Sequence, residues 1–472
     1  MKTSMRVSFA GVCVAALLSG CANMRQFHTP DVPVAATYGR GDSAKNAPNE
    51  PIHAATTTHP SGDVRDDTWW QQFSDTRLDH LVAKVLDVNT DLAAAGLNLK
   101  RARLSLGLAT DDLLPHLDVS ASTSQDKPLK SGGSWTRSSL ATATISYELD
   151  LWGKLQAQRN AASWEEQATT EDLESTGLAL VGDACNLYWT LGFLNQRVAA
   201  GEESLSRLQR TLALVQSQFG AGAVSRLELR EAEQNLEGQQ AVQSQLIQQR
   251  VETRNALTVL LNGEPWPQSD EPQNLNDARS PAVREGIPAD LLGRRPDLRA
   301  AELRLRKSLT NVDVTRTSYY PAVSLTGTVG GTSTSLGDVL TNPIATLGAG
   351  LTLPFLHWNE ARLNTAIART DYEIAAVDFR KTLYTAFTEV DNALSDRVEL
   401  AKQVDASQKS FDAAADVERL YEVRYRAGAT PLRNWLDAQE TRRTAELSLA
   451  QARLSQLQND SALFQAMGGS GS

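Results

Sequence analysis

One spacing governs what this chain can fold into: residues 206 positions apart match, in order and without a gap, along almost its whole length. Asn89-Thr-Asp91-Leu92-Ala-Ala-Ala95 matches Arg295-Pro-Asp297-Leu298-Arg-Ala-Ala301, and Leu114-Pro115 matches Tyr320-Pro321. Leu151-Trp152-Gly153 matches His357-Trp358-Asn359, Ala221-Gly222-Ala223 matches Ala427-Gly428-Ala429, and Ala232 matches Ala438. Such a series marks a duplicated supersecondary unit. The 472 residues therefore read as a first structural repeat at 68–262 and a second at 289–469, with a Pro-bearing connector at 263–288. Length alone, at about 150 residues per domain, would have suggested three ordinary domains. Aromatic residues are only 6% of the chain, while Ala, Leu, Gln, Glu and Arg fill long stretches. That composition suits long helices better than a large compact core.

Each copy carries the same order of patterns. In the first, Leu78 to Leu113 is rich in Leu and Ala and free of Pro, and reads as one helix of about 35 residues that Pro115 stops. A β-hairpin follows at 115–150. Leu117, Val119, Ala121 and Thr123 alternate with polar residues, the Gly132-Gly133 region turns the chain, and Ala141, Ala143, Ile145, Tyr147 and Leu149 alternate again. A long helix is expected at 154–218, where Leu173, Gly177, Leu180, Ala184, Leu187, Leu191, Leu194 and Val198, and onward to Phe219, recur at spacings of 4 and 3, with Gly201 in one slot. That period marks helices packed as a coiled coil, and about 65 such residues span roughly 100 Å. The chain reverses at Gly220-Ala-Gly222-Ala223, and a helix returns over 226–261. The second copy reads as a helix, a hairpin at 321–356, a long helix at 360–424, a turn at Arg426-Ala427-Gly428-Ala429 and a helix at 431–466. Gly222 and Gly428 suit C-caps with positive φ, Ser225 and Thr430 suit N-caps, and Pro431 suits a first helical turn.

Residues 1–20 read as a secretory signal, with Lys2 and Arg6 around the start of the short apolar run Val7 to Leu18. The run ends in Leu18-Ser19-Gly20-Cys21, which resembles the bacterial lipoprotein box, where the cysteine is acylated and becomes the first mature residue. A covalent lipid on Cys21 is therefore expected, and no cofactor or metal besides. The linker at 21–67 contains Pro30, Pro33, Pro48, Pro51 and Pro60 and reads as extended. Cys13 leaves with the signal, so Cys185 has no disulfide partner; among Leu180, Ala184 and Leu187 it reads as a small core side chain.

No mature stretch reaches 18 consecutive apolar residues, which excludes a helical membrane span. Strands of roughly 10 to 12 residues do suit tilted outer-membrane strands. Four strands cannot close, and an open edge cannot face lipid, so strands placed in a membrane demand an oligomer. A net charge of −10 disfavours nucleic acid as a partner.

A set of loose motifs occurs in a specific order. Trp69-Trp70-Gln-Gln-Phe73-Ser-Asp75-Thr-Arg-Leu78 precedes Asn89-Thr-Asp91-Leu92; then come the paired turns Phe219-Gly-Ala-Gly222 and Tyr425-Arg-Ala-Gly428, Asp437-Ala438-Gln439, and the ending Ala466-Met-Gly468-Gly469. Together they resemble the TolC-like outer-membrane factors, in the lipoprotein branch of OprM-type and NodT-type proteins, over about residues 21–469. The resemblance implies a mainly α fold with a small β part. Three chains, four strands from each, would form an outer-membrane β-barrel that continues as a long periplasmic α-helical barrel. It also implies a passive exit duct of a tripartite efflux system, gated at its periplasmic tip. The partners would be two further copies of the chain, a periplasmic adaptor, an inner-membrane pump of the resistance-nodulation-division class, and outer-membrane lipid.

The same resemblance puts Gly220, Gly222, Ala223, Ala427, Gly428 and Ala429 in adaptor-docking tip turns, and Asp437, Glu228, Glu231, Tyr425 and Asn434 at a periplasmic gate or lumenal filter. Asp437 matches a lumenal ring of carboxylates, Glu228 a gate carboxylate, and Tyr425 a tyrosine bonded to it. Thr430 and Asn434 depart from one family pattern, which has Arg and Asp there. Carboxylates in a narrow ring repel one another and attract cations. Taken without the resemblance, these charges read as a solvated helix face.

An enzyme would need a motif that the chain lacks: there is no His-Glu-x-x-His, no Gly-x-Ser-x-Gly, no phosphate-binding glycine loop and no Cys-x-x-Cys. A periplasmic coiled-coil scaffold would explain the heptads and the lipid but not the matched hairpins. Of the four Met residues, Met1 and Met5 lie in the signal, which leaves no basis for a Met-based copper or silver relay.

Overall fold

The structure, a computed structural model of the chain, describes residues 68–128, 133–275, 278–281 and 293–469; the signal, Cys21 and the linker lie outside them. Helices α1 (Thr76–Val88) and α2 (Thr90–Asp111) lead into strands β1 (His116–Asp126) and β2 (Thr136–Leu149), the long helix α3 (Lys154–Gly220) and the returning helix α4 (Arg226–Leu260). The second half runs α5 (Pro296–Thr317), β3 (Ala322–Ser333), β4 (Ile344–Thr352), α6 (Trp358–Arg426) and α7 (Leu432–Ala466). Among the described residues no helix is long and apolar enough to cross a membrane.

The chain divides into two compact units, each drawing on both halves of the sequence. One unit holds Leu97–Thr170 and Ala300–Lys381; the other holds Glu171–Arg299, Thr382 onward and the residues just before Leu97. In the first unit the reason is the sheet. A lone hairpin is marginal in water, and β2 of the first hairpin pairs with β3 of the second over Ser139–Leu149 and Val323–Ser333. The result is one antiparallel sheet in the order β1-β2-β3-β4. The Asp150 carboxylate accepts from the backbone N–H of Leu155 and Gln156, at 3.1 and 2.8 Å, and so caps the start of α3. The second hairpin is shorter than the expected 321–356: β4 ends at Thr352, and Pro354 opens a 3-10 turn over Pro354–Leu356, because proline has no N–H to give a ladder.

The second unit contains the main core. Trp69, Trp70 and Phe73 pack with α1 and with Leu180, Val181, Tyr188, Trp189, Leu191 and Leu194 of α3, and Trp69 stacks on Phe464 with ring centres 5.2 Å apart. Burial pushes the Cys185 thiol up to about 12, so it is an inert core side chain. The single helix expected from Leu78 to Leu113 is instead two. Asn89 is extended, with φ −67° and ψ 133°. Its side-chain oxygen accepts from the N–H of Asp91 and Leu92, at 2.8 and 3.1 Å, while its amide donates to the Leu260 carbonyl at 3.0 Å. That residue caps α2 and ties the break to the end of α4.

Gly201, the gap in the heptad pattern, also has a physical reason. A Cβ there would stand 1.9 Å from the Gln243 side chain, which donates to the Val198 carbonyl at 3.1 Å. The glycine thus admits a buried glutamine from α4. The connector is tied down by charge. Glu271, 2% exposed, holds Arg254 through two bonds of 2.8 and 2.7 Å, and Asn195 donates to it at 3.2 Å. Asp460 is fully buried between Arg397 and Ser280, each at 2.5 Å. Buried charges are tolerated when paired and hydrogen-bonded in this way.

Candidate functional site

Side chains alternate across a sheet, and here the alternation separates two chemistries. The rows Leu117–Ile145–Gly327–Leu347, Val119–Ala143–Val329–Ala345 and Leu149–Val323–Leu351 share one face. The rows Asp118–Thr144–Thr328–Thr346, Ser120–Thr142–Gly330–Ile344 and Ser146–Thr326–Gly348 share the other. Hydroxyls meet across the strands on that second face, Ser120 with Thr142 at 3.0 Å and Thr144 with Thr328 at 3.1 Å. On the apolar face Leu117, Val119, Leu347 and Leu351 are exposed. An apolar sheet face of this extent needs a cover of lipid or protein. The outer edges of β1 and β4 have no strand partner among the described residues.

The two turns after α3 and α6 close alike. Gly222 and Gly428 have φ of 75° and 69°. The Ala223 and Ala429 N–H groups donate to the carbonyls of Gln218 and Arg424, and those of Gly222 and Gly428 to Phe219 and Tyr425, all at 2.9 Å. This double bond pattern satisfies the last carbonyls of each helix and needs a left-handed residue. Nothing lies within 4 Å of a Cβ added at either glycine, so the requirement is conformational and not steric. Gly220 is the last residue of α3, and Ala427 lies between α6 and Gly428.

Past the turns, Glu228 takes a local role. Its carboxylate accepts from the Ser225 N–H at 2.6 Å, half of a capping box at the start of α4. The matching position before α7 is Pro431 and not Thr430, and it has no side-chain cap; the Thr430 hydroxyl instead accepts from the Asn434 amide at 2.9 Å. Tyr425 does not bond to Glu228. Its hydroxyl donates to the Gln218 side-chain oxygen at 2.6 Å, and its ring stacks on Trp435 at 5.3 Å. The reason is packing. Tyr425 sits in a small core with Val215, Ala232, Leu432, Trp435 and Leu436, which turns the hydroxyl toward α3. Burial pushes the hydroxyl's pKa up, and the charge of Glu228 adds to it. Glu231 is half-buried on α4. Asn434 and Asp437 lie on the exposed face of α7, and Asp437, 71% exposed, has Arg433 at 3.8 Å.

The structure thus gathers Tyr425 and Glu228 near the small core beside the turns and leaves Asp437 and Asn434 facing solvent. Gln218 and Trp435 were not foreseen; Trp435, one of two aromatic residues in the polar α7, was the one available signal. Also unforeseen is a cleft of about 370 Å³ lined by Ser407, Ser410, Glu440, Thr441, Thr444 and Ser448; at the 206-residue spacing Ser407 stands opposite Gly201 and Ala445 opposite Gln239. Among the described residues no group of three His, Cys, Asp or Glu side chains is placed to hold a metal.

Two stretches, 81–263 and 287–469, match the family described as outer membrane efflux protein. The chain is 28% identical over 466 residues to toxin and drug export protein A of Aggregatibacter actinomycetemcomitans, covering 97% of this chain and 96% of that one. Its fold superposes on the open-state MtrE outer membrane channel of Neisseria gonorrhoeae with a TM-score of 0.78, at 29% identity, over 95% of this chain and 98% of that chain. The CmeC outer membrane channel of Campylobacter jejuni gives a TM-score of 0.80 at 25% identity, over 95% of each. With most of both halves matched and the long helices and two-faced sheet in place, the chain belongs to the outer membrane efflux protein family, as an outer-membrane channel component that conducts passively and is not an enzyme.

Proposed function

We propose that three copies of this chain close a twelve-stranded barrel in the outer membrane and continue as a periplasmic helical duct, gated at the α3–α4 and α6–α7 turns. The observation that carries this reading is the sheet: among the described residues, four strands with one apolar face, one hydroxyl face and two unpaired edges. Pairing β4 of one copy with β1 of the next removes both edges, turns the apolar face to lipid and lines a lumen with hydroxyls. Two exposed stripes support the same assembly, Leu97, Leu104 and Leu108 on α2, and Leu363, Ile367 and Ile374 on α6. Exposed Phe355, Leu356 and Trp358 after β4 suit the membrane–water boundary. A periplasmic adaptor is the partner at the turns, and an inner-membrane pump of the resistance-nodulation-division class supplies the energy. A lipid on Cys21 anchors the chain.

Asp437 is the filter residue of this reading, because it is exposed and only loosely paired, whereas Glu228 is committed to Ser225. The test is the purified assembly in a planar bilayer. Asp437→Asn is expected to lower the cation-over-anion permeability ratio and to weaken block by divalent cations, while Arg419→Gln, an exposed control, changes neither. An unchanged reversal potential and unchanged block in Asp437→Asn would return Asp437 to a solvated face. Lipidation has its own check: Cys21→Ser is expected to abolish acyl labelling, and full labelling of that variant overturns the anchor.

A further inference from the structure

At the start of α5 two arginines one turn apart each hold two carboxylates. Arg295 pairs with Asp297 at 2.8 Å and with Glu389 of α6 at 2.7 Å, and it also donates to the Ala466 carbonyl oxygen. Arg299 reaches α3, where its Nη2 stands 2.6 Å from Glu171 and 2.5 Å from Glu174. Those two glutamates lie one helical turn apart on the same face, with side chains only 17% and 14% exposed, so water screens neither well. The charged groups acting on the pair are Arg299 from α5 and Asp172 beside Glu171 on α3; Arg295 is already committed. One guanidinium therefore faces two carboxylates. With both ionised, a negative charge is left uncompensated in a half-buried place; one proton between them removes it.

We propose that Glu171, Glu174 and Arg299 form a proton-dependent latch between α3 and α5, closed while the two carboxyls share a proton and loosened when it leaves. The surroundings set the change near neutrality. Burial first, and then the charge of Glu171, push Glu174 up to about 7 against the pull of Arg299; burial raises Glu171 as well. An acid that holds its proton more tightly in the folded chain stabilises the fold below its ordinary pKa of 4.5. That contribution fades as pH rises from there and is gone once pH passes about 7. The latch is independent of the channel reading, and its test reads the helix itself.

The experiment is hydrogen exchange in the purified full-length protein, following the amides in the first turns of α5 from pH 5 to 8.5 with intrinsic rates divided out. Protection in the unaltered chain is expected to fall about tenfold or more across that range, and Glu174→Gln, which leaves one carboxylate per guanidinium, is expected to hold protection nearly flat. Glu171→Gln makes the same charge change from the other side and serves if the first variant folds poorly. A flat profile in the unaltered chain, or an equal fall in both the unaltered chain and a folded variant, overturns the latch.

Discussion

Leu347→Arg is expected to empty the outer membrane of most of this protein, while Thr346→Arg, one residue away, leaves it there. Leu347 is 91% exposed and lies in the apolar row with Leu117, Ile145 and Gly327. Thr346 lies in the hydroxyl row with Asp118, Thr144 and Thr328. An arginine on the lipid face of a barrel costs about 2–4 kcal/mol at mid-depth, and far less where it projects into a water-filled lumen. At about 1.4 kcal/mol per factor of ten, that is roughly 30- to 700-fold per chain, and the proposed assembly of three chains would carry it three times. Quantifying both variants in outer-membrane fractions checks the assignment of faces. Equal loss of the two, or equal retention, would show that the sheet does not present this face to lipid.

Trp435→Ala is expected to open the tip without unfolding the rest of its unit. The core there has only six buried side chains, and Trp435 is the largest of them, stacked on Tyr425. Truncating a buried aromatic costs about 3–5 kcal/mol, which so small a cluster cannot redistribute. Hydrogen exchange is expected to speed up more than a hundredfold for the amides flanking both turns. Amides around Trp69, Trp189 and Phe464, which belong to a separate and larger core, keep their protection. Uniform loss across the unit, or none at the turns, would contradict a separately held tip.

Much of the fold was legible because it rests on local rules. Period-2 alternation at Leu117–Thr123 and Ala141–Leu149 marks strands whichever partner they find, and a run without Pro at period 3.5 marks a long helix. Gly222 and Gly428 announced their turns because only a residue free to take positive φ closes the carbonyls in that way. The break at Asn89 was also local, an Asn-Thr-Asp start signal, but the Leu and Ala pattern running through it hid the signal. The candidate site was less legible. Asp437 faces solvent on one chain, and the carboxylate of Glu228 reads alike as a gate or as a helix cap until its partner is seen.

By itself, then, the sequence determined that in each half a helix leads into a hairpin, then a long helix, a turn and a returning helix, and that each strand has an amphipathic split, because both follow from spacing along one chain. The tertiary structure alone decided that β2 and β3 join the two hairpins in one sheet, that Tyr425 bonds to Gln218, and that Glu271 and Asp460 are buried against Arg254 and Arg397. Each of these is a meeting of groups distant in sequence. A hydroxyl or a charge with several partners within reach of its chemistry takes the one that packing brings to hydrogen-bond distance.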